Sequence, residues 1–414
     1  MKKWTPKKPS PSNLGDHDVP LLGDHLKGHK IALLVTGGIA AMTTPQLARQ
    51  LRRYGAEVIA YLSEEAKKYV TCEALEWSTN HPVIDKLTPR SEHLSGDFAI
   101  DTYLVAPATY NTINKIRQGI ADTLITTTMA SALGKMEEGN AKILIVPTMH
   151  GSMHNSILDE SLNYLIQLGV HVIAPRDENG KHNMPLVENL VAEVLAWTSH
   201  SKLKNKKILI TGGPTPVKVD SVRRLTNKFT GQLSLLLAQE LYFRGAEVSF
   251  ILGNSGLPTP DYLNVFSVED YDEYKSTVLN QLDQQRFDCG IFSAAVADYK
   301  PKNIASGKIP SGGALQNIEL TSIEKVIDIV KEQFPDLKMI SFKYEEGISH
   351  NELIQIAQGR LNRGHFAVVA NRGEDFKVSN DQVAYIVSQD QVTQAIVSKH
   401  KIAQELADFL ESNL

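Results

Sequence analysis

Cysteine is nearly absent: Cys72 and Cys289 are the only two in 414 residues, set in the apolar contexts YVTCEAL and RFDCGIF. That scarcity argues against a disulfide framework and fits a reducing cytoplasm. No run of about 18 apolar residues occurs, so no membrane-spanning helix is expected. The early lysines of MKKWTPKKPSPSNLGDHDVPLL lead into no uninterrupted apolar stretch, so this opening does not read as a secretory leader. Charge of one sign is lacking as well: 43 Lys and Arg stand against 47 Asp and Glu, a net charge of −4. That balance gives no reason to expect nucleic acid as a partner. Small molecules and further copies of the chain, in a homo-oligomer, are the expected partners. The G-x-G-x-x-G fingerprint of dinucleotide binding is missing too, and the second strand of neither half ends in the acidic residue that would take ribose hydroxyls.

What is present is a repeat. KIALLVTGG at Lys30 to Gly38 returns as KILITGG at Lys207 to Gly213, each followed by a helical pattern that closes in RRYGAEVIAYL or YFRGAEVSFIL. In the first copy Thr44 and Pro45 suit an N-cap and first helical position, Leu47 and Leu51 give an i, i+4 stripe, and Gly55 suits the stop. Further apolar runs, TYLVAPAT, KILIVPT and VHVIAP, then DCGIFSAAVADY, LKMISFKY and FAVVAN, alternate with helical segments. Near-continuous apolar strands separated by helices predict parallel sheets covered on both faces. The expected fold is α/β: two three-layer, Rossmann-like domains with mainly parallel sheets. The expected order is a flexible or arm-like tail over 1–28, a first domain over 29–198, a linker over 199–206 within the polar, basic TSHSKLKNKK, and a second domain over 207–414.

Ligands bind such sheets beyond the strands' carboxyl ends. KILIVPTMHGSM, Lys142 to Met153, puts Met149 and His150 at such a position, and TYLVAPAT puts Thr109 and Asn111 at another. The last two carry short hydrogen-bonding side chains suited to a phosphate or the edge of a flavin ring, and equally suited to capping a helix.

Taken together, TGGIAA (Thr36 to Ala41), SEHLSGDFAID (Ser91 to Asp101), LVAPATYNTINKIRQGIADTLITTT (Leu104 to Thr128) and VPTMHGSM (Val146 to Met153) resemble the flavin-dependent cysteine decarboxylases, specifically the phosphopantothenoylcysteine decarboxylase half of the bifunctional coenzyme A biosynthesis proteins. The resemblance implies an FMN site lined by Gly38, Ser63, Thr109, Asn111 and Met149, and His93 as catalytic base. Two departures accompany it. His150 stands where the family has the asparagine that grips the substrate carboxylate, and a histidine can still donate there. The flap that carries a proton-donating cysteine in the family is here APRDENGKHNMPL, Ala174 to Leu186, with no cysteine. Three outcomes stay open: oxidative decarboxylation alone, another acid such as Lys181 or His182, or flavin binding without turnover.

The second half, through ILITGGPTPVKVDSVRRLTNKFTGQ (Ile208 to Gln232), SAAVADYKP (Ser293 to Pro301), GKIPSG (Gly307 to Gly312) and VVANRGED (Val368 to Asp375), resembles phosphopantothenate-cysteine ligase, the partner half of the same family. The implied chemistry is activation of a carboxylate by CTP to an acyl-cytidylate, then attack by the cysteine amine. Such chemistry asks for neutralised phosphates rather than a covalent nucleophile. By resemblance Asn227 holds the acyl-cytidylate, Lys308 meets the triphosphate and Asp298 meets the nucleotide or its Mg²⁺. Gly212, Gly213 and Thr215 turn beside the phosphates, while Ala294, Ala295, Phe342 and Asn371 edge the nucleotide pocket. Read singly, Lys308 also fits a solvated lysine, Asp298 a turn cap and Asn227 a turn residue. Phe229 replaces a small hydroxyl residue of the family. A catalytically altered flavin- and nucleotide-binding paralogue, or an enzyme for a different thiol carboxylate, is the alternative reading.

Overall fold

A computed structural model of the protein describes residues 6–94, 99–310, 317–379 and 381–414, with the side chains of 377–379 excepted. Ser95 to Phe98 of the SEHLSGDFAID motif and Ser311 and Gly312 of GKIPSG lie outside the described residues. The chain divides into two compact units, Met1–Ser199 and His200–Leu414.

Unit 1 runs β1 (Lys30–Val35), α1 (Thr44–Arg53), β2 (Glu57–Leu62), α2 (Cys72–Thr79), β3 (Thr102–Ala108), α3 (Tyr110–Arg117), α4 (Leu124–Glu137), β4 (Lys142–Pro147), β5 (Met149–His150), α5 (Ser156–Gln167), β6 (His171–Val172), β7 (Arg176–Glu178), β8 (Lys181–Asn183) and α6 (Val187–Thr198). Its main sheet has the order β2-β1-β3-β4-β6, and every pairing in it is parallel. The apolar runs explain this: all seven residues of β3 are buried, as a strand covered on both faces requires. Helix α1 starts one residue earlier than its capping pattern predicts, with Thr43 at the N-cap, and buries Leu47 and Leu51 fully. Each such leucine contributes about 1.5–3 kcal/mol through burial. The strand order reverses between β1 and β3, so a crevice opens where those two strands end. A separate three-stranded antiparallel sheet, β5-β8-β7, lies beyond β4.

Within the opening segment, expected as a flexible or arm-like tail, residues 17–26 are instead fastened to the rest of unit 1. The amide of Leu22 donates to Arg53 O and that of Leu26 to Tyr54 O, both at 2.8 Å, and Leu26 is fully buried. Arg49 stacks over Trp77 while Arg52 donates to His17 O, so the polar look of the segment hid side-chain partners far along the chain.

Unit 2 runs β9 (Lys207–Gly212), β10 (Pro214–Thr215), β11 (Val217–Lys218), β12 (Arg224–Leu225), α7 (Gln232–Phe243), β13 (Glu247–Gly253), β14 (Asn264–Val268), α8 (Tyr271–Gln284), β15 (Cys289–Phe292), β16 (Ala295–Val296), β17 (Tyr299–Pro301), β18 (Leu320–Ser322), α9 (Val326–Gln333), β19 (Lys338–Glu345), α10 (His350–Leu361), β20 (Ala367–Arg372), α11 (Gly373–Ser379), β21 (Val383–Val387), β22 (Ile396–Val397) and α12 (Lys399–Asn413). The eight-stranded sheet has the order β14-β13-β9-β15-β19-β20-β21-β22, parallel as far as β20 and antiparallel at its last two pairings. Its reversal falls between β9 and β15, the counterpart of the β1/β3 crevice. Of residues 199–206, expected as a linker, 200–206 belong to this unit: Leu203 is fully buried in its core and Asn205 N donates to Gly245 O. One buried leucine decides that seat against a basic surrounding sequence. Among the described residues no helix is long and apolar enough to cross a membrane.

Candidate active sites

In unit 1 the crevice deepens to a cavity of about 1000 Å³. Its lining joins the turn after β1 (Thr36, Gly37, Gly38), Ser63 after β2, the start of α3 (Thr109, Asn111), the start of α4 and the β5/β8 segment (Met149, His150, Lys181, His182). Gly38, Ser63, Thr109, Asn111, Met149 and His150 are thus brought together. Thr109 caps α3 by accepting from Thr112 N, while Asn111, next to it in the first turn, is exposed. The capping reading and the ligand reading therefore coexist: the cap holds a helix N-terminus whose free amides face the crevice, a ready seat for a phosphate. A side chain at Gly37 would put its Cβ 2.4 Å from Glu65 Cβ, which explains why glycine holds that corner. A flavin fits these residues in size, in the helix N-terminus available to its phosphate and in the mixed lining.

His150 is exposed at the end of β5. Its Nδ1 accepts from Ser152 N at 3.2 Å and lies 2.8 Å from Ser152 Oγ. In the neutral ring the proton therefore sits on Nε2, leaving a donor for a carboxylate. Lys181, its cross-strand partner on β8, adds a positive charge at the same wall.

His93 is not brought to this cavity. It sits partly buried on a short turn, Glu92–Leu94, that Tyr61 grips through Glu92 O at 3.0 Å and Lys135 through Leu94 O at 2.8 Å. Its Nδ1 is buried and without a hydrogen-bond partner among the described residues.

In unit 2 a cavity of about 430 Å³ opens at the β9/β15 reversal. Gly213, Asn227, Ala294, Ala295, Asp298, Phe342 and Asn371 all line it. Three backbones meet at its floor. Gly213 has φ +75° and Gly231, the N-cap of α7, has φ +84°, in the left-handed region that favours glycine. A Cβ on Gly231 would lie 2.7 Å from Gly213 N, and one on Gly213 would lie 2.8 Å from Gly253 O. This packing brings the N-terminus of the twelve-residue α7 to the cavity. Gly212 serves a different need: a side chain there would strike Ser234 of α7, so it sets how closely the helix packs on β9.

A family model described as Flavoprotein matches residues 22–199, and one described as DNA/pantothenate metabolism flavoprotein C-terminal domain matches residues 203–414. The coenzyme A biosynthesis bifunctional protein CoaBC of Thermococcus kodakarensis is 36% identical over 395 residues, which cover 94% of this chain and 96% of that protein. The chain belongs to the bifunctional coenzyme A biosynthesis proteins. The Escherichia coli protein of the same name is 32% identical over 312 residues, 72% of this chain and 74% of its own. The crystal structure of the DNA/pantothenate metabolism flavoprotein from Streptococcus pneumoniae matches at 26% identity and a TM-score of 0.45, covering 50% of this chain and 100% of that one. Membership makes this protein an enzyme of coenzyme A biosynthesis, with a decarboxylase-type flavoprotein domain ahead of a ligase-type domain.

Among the family positions of unit 2, Asn227 donates through Nδ2 to Ala295 O at 3.1 Å, tying its loop to the strand end and leaving Oδ1 to the cavity. Lys308 and Thr215 do not line that cavity. Thr215 is buried behind the turn with its hydroxyl unpaired among the described residues, while Lys308 is exposed on a neighbouring loop. What positions that loop is Asp220, which accepts from Val222 N, Arg223 N and Ile309 N and from the Arg223 guanidinium. Burial pushes its carboxyl up, but these donors outweigh burial and hold it well below the usual carboxylate range. Phe229 packs edge-on against Tyr344, with ring centroids 5.6 Å apart, at the mouth rather than in the phosphate turn.

The sequence reading missed Arg360, Lys343 and Lys399, which add positive charge to the lining, and Gly253. For Gly253 a signal existed in the ILGNSG strand end. An alanine there would place its Cβ 1.7 Å from Pro214 O. Gly253→Ala is expected to cost unit 2 at least about 1–3 kcal/mol through overpacking and to abolish nucleotide binding. Calorimetric titration with CTP, alongside a flavin absorbance spectrum, checks this: the spectrum stays and the binding heat goes.

Proposed function

We propose that unit 2 activates the carboxylate of 4′-phosphopantothenate with CTP, joins it to cysteine through an acyl-cytidylate, and passes the product to FMN-dependent decarboxylation in unit 1. The observation that carries this reading is the convergence, at the end of β9 and β15, of the glycine floor, the α7 N-terminus, Asn227, Asp298 and a surrounding set of cations. Triphosphate chemistry needs such a cradle, since helix N-termini and cations stabilise the charge that develops on the leaving pyrophosphate. Asp298 supplies one carboxylate. That suits Mg²⁺ held mainly by phosphates and water, and accords with the absence of any cluster of three or more metal-ligating side chains among the described residues.

In unit 1 the α3 N-terminus would take the flavin phosphate, and FMN, when bound, supplies two-electron chemistry. His150 Nε2–H and Lys181 would orient the substrate carboxylate. The distance of His93 from its own cavity supports a homo-oligomer in which one copy's His93 serves another's flavin. Cytoplasmic location follows from the soluble substrates and the scarcity of cysteine.

Mass spectrometry of the purified protein with 4′-phosphopantothenate, cysteine, CTP and Mg²⁺ tests the reading. Phosphopantothenoylcysteine and its decarboxylated product are expected. Phosphopantothenoylcysteine alone would mean a working ligase beside an idle flavin half. No product, with FMN and CTP still bound, would sink the biosynthetic reading and leave the altered paralogue, which the substitutions at His150 and Phe229 favour.

A further inference from the structure

A second cavity of unit 2, about 380 Å³, opens beside the nucleotide cavity at the carboxyl ends of β19 and β20. Phe229, Tyr344, Asn371, Gln382 and Lys399 line both, so the two share a wall, and the edge-on pair of Phe229 and Tyr344 stands in it. Asn227, the position that by resemblance holds the activated acyl group, is two residues from Phe229, at most about 7 Å along the chain.

The two cavities differ in charge. The nucleotide cavity sets Lys325, Lys343, Arg360 and Lys399 against the single carboxylate of Asp298, a balance that suits a triphosphate. In the second cavity Arg372 is engaged by Asp375 at 2.8 and 3.0 Å, which leaves Lys228 and Lys399 to balance Glu346 and Asp381. Lys228 has no ion-pair partner among the described residues. Two carboxylates oppose a phosphate, whereas balanced charges suit a ligand that carries both signs.

Glu346 is held at this wall. The Tyr344 hydroxyl donates to it, and the next amide, Gly347 N, donates to Glu374 Oε1 at 2.7 Å. A Cβ on Gly373 would come within 2.8 Å of Tyr344 Oη and 3.0 Å of Glu346 Cγ, so the absent side chain is what lets this pair lie against the end of β20. The cations are placed as well. Asn227 ties the loop that carries Lys228 to Ala295 O, and Lys399, the first residue of α12, donates to Gln232 Oε1 at 2.8 Å. A lysine at a helix N-terminus opposes the helix dipole, a cost that a bound anion removes. Phe229, Tyr344 and Phe376 add aromatic rings to the lining, favourable neighbours for sulfur.

We infer that this second cavity seats the amino-acid co-substrate of the ligase half as a zwitterion: Lys228 and Lys399 take its carboxylate, Glu346 its ammonium, and the three rings its thiol. The inference rests on the ligase reading of unit 2. Of the reactants in that reading only the amino acid carries a positive charge, and the shared wall sets its seat next to the acyl position at Asn227. Phe229, which replaces a small hydroxyl residue of the family, is then the partition between the two ligands.

The full-length protein loaded with FMN is given CTP, Mg²⁺ and 4′-phosphopantothenate, with either cysteine or 2-aminoethanethiol, which is cysteine without its carboxylate. Pyrophosphate release reports activation, and the mass of the ligated product reports the amine step. Glu346→Gln is expected to raise KM for both amines about 10- to 100-fold, the loss expected for a hydrogen bond to a charged group. Lys228→Met is expected to raise KM for cysteine alone by a similar factor, so the wild-type preference for cysteine over 2-aminoethanethiol collapses, whereas Lys228→Arg keeps it. KM for CTP and for 4′-phosphopantothenate, and the melting temperature, stay at wild-type values in all three. A merely structural role would not sort the two amines by variant. Unchanged KM for cysteine in both Glu346→Gln and Lys228→Met overturns the inference and leaves the ligase reading intact. So does a rise confined to KM for CTP or for 4′-phosphopantothenate, which would make the cavity an extension of a phosphate site. Wild type that releases no pyrophosphate sinks the ligase reading and the seat together.

Discussion

Replacing Arg360 with alanine is expected to raise the KM of the ligase half for CTP about 10- to 100-fold while flavin binding stays unchanged, the loss expected for removing a hydrogen bond from a charged donor. Arg360 leaves α10 and reaches across β19, donating through Nη1 to Ser341 Oγ at 3.0 Å and to Phe342 O at 2.9 Å. Those two bonds aim the guanidinium at the cavity, which it lines. Burial and the neighbouring Arg363 pull its pKa down, yet a guanidinium stays charged at any physiological pH. No carboxylate among the described residues stands within ion-pair distance of it.

A half-buried cation without an ion pair is costly in the free protein, and it is kept when an arriving anion completes it. This separates two roles that activity alone would blur. If Arg360 only braces β19 against α10, Arg360→Met should lower the unfolding midpoint of unit 2 and leave KM alone. If it receives a phosphate or the base carbonyl, Arg360→Met should leave the midpoint unchanged or higher while KM for CTP climbs. Arg360→Lys should recover only part of the affinity, because an ammonium cannot hold Ser341 and Phe342 with one planar fork and still face the ligand. Initial rates against CTP concentration, paired with thermal melts of the same samples, decide between them.

The parts of this site that were legible in the sequence are those carried by short-range pattern. Apolar runs placed β1, β3, β9 and β15, and the glycines and small polar residues after them marked the ends where both cavities open. Thr109, Asn111 and His150 could be picked out because each sits within a few residues of a strand end, whereas Asn227 and Asp298 were carried by the resemblance of their motifs. Arg360 could not, since AQGRL reads as the solvated face of a helix and its partners on β19 lie 18 and 19 residues earlier. Asp220 holds Ile309 across 89 residues, and His154 meets His182 across 28. Periodicity carries no trace of contacts made by tertiary closure. Tertiary closure also decides what a matched motif faces: His93 matches its motif, and Tyr61 and Lys135 hold its turn away from the cavity of its own chain. Leu26 and Leu203 were read as tail and linker because one buried leucine in a polar stretch leaves no pattern.

Acidification from pH 7 to pH 4 is expected to cost unit 2 about 3 kcal/mol through His365 alone. His365 is 6% exposed, and burial, reinforced by Arg360 and Arg363, pushes its pKa down to about 4. In the unfolded chain the same ring titrates near 6.5, so between pH 6.5 and pH 4 the unfolded state binds more protons and stability rises with pH. The contribution is complete above pH 6.5 and is lost as pH falls through 4. The cause of the shift also ties it to the nucleotide site. His365 Nδ1 lies 2.9 Å from Ser341 Oγ, the hydroxyl that accepts from Arg360, so its single proton is donated to an unprotonated Nδ1. A protonated ring would turn that donor into a rival and set a second cation beside the guanidinium. CTP affinity should therefore weaken over the same pH range as stability. Hydrogen exchange on β19 and β20 peptides reports unit 2 specifically, and His365→Asn should flatten both the exchange and the binding profiles between pH 6.5 and 4. Profiles that fall equally in wild type and His365→Asn would assign the acid sensitivity to other groups and break the proposed link between this histidine and Arg360.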